Sequence, residues 1–402
     1  VRRLTLLLAA VVTAALATAG AAGAAEPGVT ATTVVLGGTV PLSGEAAAFG
    51  SVGPGAKAYF AYVNARGGVN GRTIDYRFLD DGYNPAQTVQ LTRKLVEQDR
   101  VFAIFNSVGT ANNIAIREYL NAQKIPQLFV GDGSDALGRG YGRYPWTMGF
   151  LQSYRGEGAV YGRHLAKSRP AATVAVLFEN TDLGKDMTRG LSQAIAGRGP
   201  KVVASEPYEY TGADVSSQVA KLKASGADTL MLFATPKFMI QAVLAAHKLG
   251  WKPQLYIASV SIEPTIMTIA KTNAPELTKG AYSVAFVKNP NDPIWAKDPA
   301  VALYRSILKR YAPGAKAADV YNWYGMTVAW TMVETLRKAG RDLTRAGLLR
   351  AAQSLDLRTN PFLLPGIAIR TGPKTYFPLA NVYLYRYDNS QWVRASPLVA
   401  AR

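Results

Sequence analysis

The chain has 402 residues, 49% hydrophobic and 18% charged, with a formal net charge of +18 and no cysteine. That length and balance suit two domains with large cores and exclude collagen-like, coiled-coil and disordered classes. Without thiols there is no disulfide framework, no thiolate metal site and no cysteine nucleophile. The basic residues are scattered, with no dense Lys/Arg run, zinc-finger spacing or RNA-binding aromatic signature, so no nucleic-acid partner is expected. They read as solvated faces whose long-range field would steer anionic solutes.

Arg2 and Arg3 precede an apolar run over 4–16, and small residues follow to Gly23-Ala24-Ala25. This is the pattern of a secretory signal peptide, 1–25, with cleavage expected after Ala25 or Ala24. The run is short for a membrane anchor. No cysteine is present to carry a lipid, so a protein free in a periplasm is expected.

From there the chain alternates strands and helices, the signature of parallel sheets covered on both faces. A buried strand is predicted over 34–40. Ala56, Tyr59, Phe60 and Val63 fall on one helical face. Gly67-Gly68 stops that helix and Asn70-Gly71 makes a turn. A strand over 73–79 leads to Asn84, an N-cap with Pro85 at the first helical position, and a helix running to about 98. Strands over 101–105 and 127–130 flank a helix over 110–123. The rhythm restarts after a strand near 144–148. Strands are predicted over 173–178, 202–208, 229–233 and 254–258, with helices near 185–196, 215–225, 238–249 and 262–271. A strand near 280–284 precedes long helices near 300–311 and 320–339. A last strand over 381–387 turns at Asp388-Asn389 toward Trp392-Val393.

The loops that follow strands carry the functional signal, because ligands of open α/β sheets bind beyond the carboxyl ends of the strands. Gly37-Gly38-Thr39-Val40-Pro41-Leu42-Ser43-Gly44 is neither a Walker loop nor GxGxxG. Asn106-Ser107-Val108-Gly109-Thr110 leads into a helix, where Ser107 or Thr110 is either a cap or a ligand contact. Gly131-Asp132-Gly133-Ser134-Asp135 permits close backbone approach, or is an ordinary turn. Enzyme constellations are poor. His164 and His247 read as helix-surface residues without metal spacing, and Asp80-Asp81 as capping or solvated acids. Gly138-x-Gly140-x-Gly142 lies outside any strand-to-helix turn. No catalytic residue, metal or cofactor is expected.

Several segments together resemble the leucine/isoleucine/valine-binding protein family, the type I periplasmic binding proteins of branched-chain amino-acid and amide ABC importers. They are Val40-Pro41-Leu42-Ser43-Gly44 with Phe49-Gly50, Asn64-Ala65-Arg66-Gly67-Gly68-Val69-Asn70-Gly71, Asp80-Asp81 before Asn84-Pro85, and Asp182-Leu183-Gly184-Lys185. The resemblance implies two Rossmann-like α/β lobes joined by three crossover strands, with the ligand between them. Lobe one would be 26–148 with 282–382, and lobe two 149–281 with 383–402. By the same resemblance, Asn106, Ser107 and Thr110 with Gly131, Asp132 and Gly133 bind a ligand carboxylate. Leu183, Thr235 and Ser259 close over it from lobe two, and Phe49 stands at the lip. The expected partners are a small-molecule ligand and ABC permease subunits in the inner membrane, with the protein itself a monomer. The alternative is a ligand sensor of the same fold coupled to a membrane receptor. The family's aliphatic amino-acid binders carry a Glu for the ammonium near Ser259 and tyrosines where Leu183 and Thr235 stand. Here the sequence is Ser259-Val260-Ser261, with Glu263 the nearest acid. A buried ammonium needs a carboxylate, so an aromatic or aliphatic carboxylate, or a neutral amide, is expected in place of a leucine-like amino acid.

Overall fold

The computed structural model describes residues 26–401; the expected signal peptide lies outside the described residues. Two sheets organise the chain. The first has five parallel strands in the order Thr73–Asp80, Thr33–Val40, Ala103–Phe105, Gln127–Val130 and Thr147–Gly149. The second has seven, in the order Trp392–Ala400, Asn381–Tyr387, Tyr282–Ala285, Gln254–Ile257, Thr229–Phe233, Thr173–Glu179 and Lys201–Tyr208. Its first two strands are antiparallel additions to a parallel set. A central parallel strand is covered on both faces, so its sequence is apolar without alternation. Thr229–Phe233, TLMLF, is buried at every position.

The two sheets are interlaced by the chain. Residues up to Gly149 build the first sheet, and the chain then enters the second, which it leaves after Ala285. The helices Pro299–Tyr311, Val320–Ala339 and Arg345–Ala352 return to the first sheet's side, where Val320–Ala339 packs along Val52–Asn64. Glycines make that packing possible. A Cβ on Gly55 would lie 2.3 Å from the Asn322 carbonyl oxygen, and one on Gly325 would lie 2.2 Å from that of Val52. Neither helix tolerates a side chain at its crossing point.

Where the chain passes between the sheets, Phe286 and Lys288 pair with Phe362 and Leu364. Leu364 N donates to Phe286 O (2.9 Å) and Lys288 N to Phe362 O (3.1 Å). The strands Tyr282–Ala285 and Asn381–Tyr387 both hydrogen-bond within the second sheet. The lobe division we propose therefore runs on their far sides, giving 26–149 with 286–380 and 150–285 with 381–401, where sequence reasoning placed 282–382 with the first lobe.

Candidate functional site

A cleft, partly open to solvent, runs between the carboxyl ends of the two sheets. Its walls are mostly aromatic and aliphatic. Of the ten expected site residues, Phe49, Thr110, Gly131, Asp132, Leu183 and Ser259 line it, and Asn106, Ser107, Gly133 and Thr235 do not.

The first-lobe wall begins with the loop after the strand Thr33–Val40. Asp80 fixes it: its carboxylate accepts Leu42 N (2.9 Å), Ser43 N (3.2 Å), Ser43 Oγ (2.6 Å) and Gly82 N (2.9 Å). Desolvation pushes Asp80 up, but these donors outweigh it and hold the carboxyl below its ordinary range. Asp81 is fully buried, not solvated, and takes Tyr83 N, Thr88 Oγ1 and Asn112 Nδ2. The two acids are thus the staples of loop one and of Tyr83. Tyr83 adopts φ +62 and puts its ring on the cleft wall, edge-on to Tyr210 of the other lobe at 5.6 Å.

The loop over 106–110 resolves the choice between cap and contact in an unexpected way. Ser107 Oγ accepts Thr39 N (3.0 Å), which turns it toward the first strand and away from the cleft. Asn106 is fully buried behind the wall. The helix Thr110–Ala122 begins without a side-chain cap. The Thr110 hydroxyl faces the cleft and donates to the carboxylate of Asp132. The other Asp132 oxygen accepts Ser134 N (2.7 Å). The position expected to hold a ligand carboxylate thus already carries one of the protein's own.

Gly133 is a correction of a different kind. A Cβ there would sit 2.2 Å from the Gln152 carbonyl oxygen and 3.1 Å from the Tyr154 ring. The packing of the first crossing segment requires a glycine here, and Gly133 does not line the cleft.

The second-lobe wall carries Leu183, in the first turn of the helix Asp182–Ile195, and Ser259. Thr235 is 3% exposed and turned inward, its backbone N donating to Tyr208 Oη (3.0 Å) and its Oγ1 3.2 Å from the same oxygen. Ser259 rests on an acid that sequence reasoning missed. Glu157 is fully buried and accepts Ser259 N (2.7 Å), Ser259 Oγ (2.7 Å), Tyr161 Oη (2.7 Å) and Gln152 Nε2 (2.6 Å). Burial pushes its carboxyl above the ordinary range despite these donors. Glu263, also on the wall, caps the helix Pro264–Asn273 through Thr265 N (2.7 Å) and Ile266 N (3.1 Å). The aromatic wall residues Tyr83, Tyr154, Tyr321, Tyr324 and Trp295 were also missed. They come from four separate stretches; only Tyr321 and Tyr324 share one, three residues apart on the helix Val320–Ala339.

The lobes are shut against one another. Lys237 pairs with Glu45, Asp135 N donates to the Asp186 carboxylate (2.7 Å), and Tyr321 Oη donates to Val260 O (2.8 Å). Phe49 meets Tyr321 edge-on at 5.1 Å beneath the rim.

The histidines stay outside the cleft. His247 is paired with Glu276 at the surface (2.6 Å), whereas His164 is half-buried with Nδ1 2.8 Å from Tyr256 Oη and is not the surface residue expected. Among the described residues no three His, Asp or Glu side chains cluster to hold a metal.

Comparison with known proteins gives consistent matches. Residues 33–391 match the profile of a periplasmic binding protein. Leu/Ile/Val-binding protein homolog 7 of Brucella abortus is 23% identical over 265 residues, 63% of this chain and 65% of that protein, so the match spans just under two thirds of the relative's length. A substrate-binding periplasmic protein from Ralstonia solanacearum superposes with a TM-score of 0.77 at 22% identity, covering 90% of this chain and 100% of the other. A branched-chain amino acid ABC transporter protein from Thermus thermophilus with bound valine superposes with a TM-score of 0.78 at 16% identity, covering 92% and 96%.

Proposed function

The chain belongs to the periplasmic binding protein family, whose members here are solute-binding proteins and not enzymes, and from that premise we propose that it captures a small organic solute between its lobes and delivers it to the permease subunits of an ABC importer. The observation that carries this reading is the cleft itself. It is lined from both lobes, mostly apolar, and bridged by contacts between the lobes. A small solute held there would be wrapped on most of its surface, the usual situation in small-molecule sites.

Capture then follows from hinge mechanics. The segments after Gly149, around Phe286 and before Asn381 are the links between the lobes, and the second is braced by its pairing with Phe362–Leu364. Small rotations there separate Lys237 from Glu45 and Asp135 from Asp186, and let solute reach the cleft. On closure Leu183 and Ser259 cover the solute while Tyr83, Tyr154 and Tyr324 pack around it. The closed surface is the form the importer would recognise. The relatives named for leucine, isoleucine and valine, and the neighbour holding valine, support a solute of amino-acid-like size and polarity.

A thermal-shift screen of small amino acids, amines, amides and carboxylates on the chain from residue 26 tests the reading. A binder at a hundredfold excess over its Kd adds roughly 2.7 kcal/mol. X-ray scattering should show a smaller radius of gyration with that binder. A screen with no stabilising solute, or a saturating ligand that leaves the radius unchanged, would refute capture between the lobes.

A further inference from the structure

Asp132 is 1% exposed yet contributes to the cleft wall. Its two carboxylate oxygens accept Thr110 Oγ1 and Ser134 N. No arginine, lysine or histidine pairs with it among the described residues. Two acids stand on the facing lobe: Asp182, at the start of the helix Asp182–Ile195, and Glu179, at the end of the strand before it. Asp81 and Glu157 are also buried without a cation, but three and four donors meet them; Asp132 has two, and unlike them it stands in the cleft wall, so its charge is the one left for a ligand to offset.

The surroundings indicate what would compensate it. Tyr83, Tyr154 and Tyr324 line the same cleft. A Cβ on Gly133, next to Asp132, would lie 3.1 Å from the Tyr154 ring, and one on Gly109, next to Thr110, 2.8 Å from that of Tyr83. Tyr324 is 9% exposed and its hydroxyl has no partner. Aromatic rings gathered near a carboxylate favour a cation, through the negative face of each ring and the charge of the acid together. An anion fares badly at the same point. The amino end of the helix Thr110–Ala122 would attract one, but Thr110 is already engaged by Asp132, and a second carboxylate would meet a like charge in a poorly hydrated cleft.

We propose that the solute enters with a cationic nitrogen, a primary or substituted amine, directed at Asp132 and enclosed by Tyr83, Tyr154 and Tyr324. This rests on the solute-binding reading above and reverses the orientation expected from the sequence, in which the first lobe would hold a carboxylate. Asp132 is then a specificity residue: it admits amines, tolerates neutral amides through an N–H donor, and rejects acids.

Three probes with one apolar body separate the cases: 3-phenylpropylamine, 3-phenylpropionamide and 3-phenylpropionate, with isoamylamine, 4-methylpentanamide and 4-methylpentanoate as a second set. Calorimetry on the wild-type chain at about pH 7.5 should rank amine above amide above acid, with the amine at least about tenfold tighter than the amide. Asp132→Asn keeps the shape and an acceptor but removes the charge. It should weaken the amine by about tenfold or more and leave the amide within about threefold. The ranking on the wild type alone keeps the test open should the variant fail to fold. An acid that binds tighter than its amine, or an amine affinity unchanged by Asp132→Asn, overturns the proposal but leaves solute capture standing. If no member of either set binds while an unrelated anionic solute does, the proposal is likewise overturned. If nothing binds at all, both readings fall.

Discussion

Replacing Glu157, which stands behind Ser259 of the cleft wall, with alanine should destabilise the empty protein. Four donors converge on its carboxylate, from Ser259 (two), Tyr161 and Gln152. Tyr161 Oη keeps Ile257 O (2.9 Å) and Gln152 Nε2 keeps Ser259 Oγ (2.9 Å), so the donors left without a partner are Ser259 N and Ser259 Oγ. At about 1–3 kcal/mol for each, the loss is about 2–6 kcal/mol. The cost of burying a carboxylate is recovered at the same time, which brings the expected net to about 2–4 kcal/mol. Glu157→Gln should cost less, about 1–2 kcal/mol, because the amide oxygen still accepts while its NH₂ faces a donor. Urea unfolding of the ligand-free chain gives the comparison, read as a shift in midpoint at unchanged slope. Ligand affinity should fall as well, since Gln152 on the first crossing and Ser259 on the wall both take their positions from this acid. A loss under about 1 kcal/mol for Glu157→Ala would refute the idea that Glu157 organises the wall.

Gly133→Val should lower stability rather than affinity alone, because its side chain would strike the backbone of Gln152; a melt unchanged from wild type would contradict this. Glu45→Gln should break the rim pair with Lys237, changing affinity by only about threefold and reducing its salt dependence, as for a partly exposed ion pair; calorimetry at two ionic strengths checks it. Burial, and the nearby charge of Asp135 beyond that, push the Asp186 carboxyl up to about 6, against the Asp135 N–H that lowers it. A folded value above the unfolded one means that folding takes up a proton, so this contribution is fully present below the ordinary carboxylate range and is lost as pH rises through about 6. Asp186→Asn should flatten that part of the melting-temperature profile, and an unaltered slope would assign it to another group.

The architecture was legible because it is written locally. Strand runs such as 229–233, the Asn84-Pro85 helix start and the Gly67-Gly68 stop are short-range signals, and the observed elements fall on them. The helix Tyr154–Ser168 was not delimited, since Gly156, Gly158 and Gly162 depress its propensity and only packing against the next helix makes it stable. The site was legible in part. Loops after strands reach the cleft by topology, which located Thr110, Gly131 and Asp132. Which way Ser107 or Thr235 turns depends on partners 68 and 27 residues away, Thr39 and Tyr208, and sequence spacing carries no trace of that choice. Glu157 was missed for the same reason: it sits in a helix and reaches Ser259 across 102 residues.

The packing of Val320–Ala339 against Val52–Asn64 has a consequence for how the protein assembles. The glycine face of Val52–Asn64 has no cover until a helix more than 250 residues further along the chain arrives. The strands from Thr173–Glu179 to Tyr282–Ala285 are nearly consecutive by contrast, and their sheet is largely complete with only the edge pair Asn381–Tyr387 and Trp392–Ala400 to add. Ends that lie far apart meet slowly because loop closure costs entropy before the contacts reward it. Assembly should therefore begin in the middle of the chain and finish at the beginning, and a chain cut before Val320 should keep an ordered second lobe while the first remains open to proteolysis.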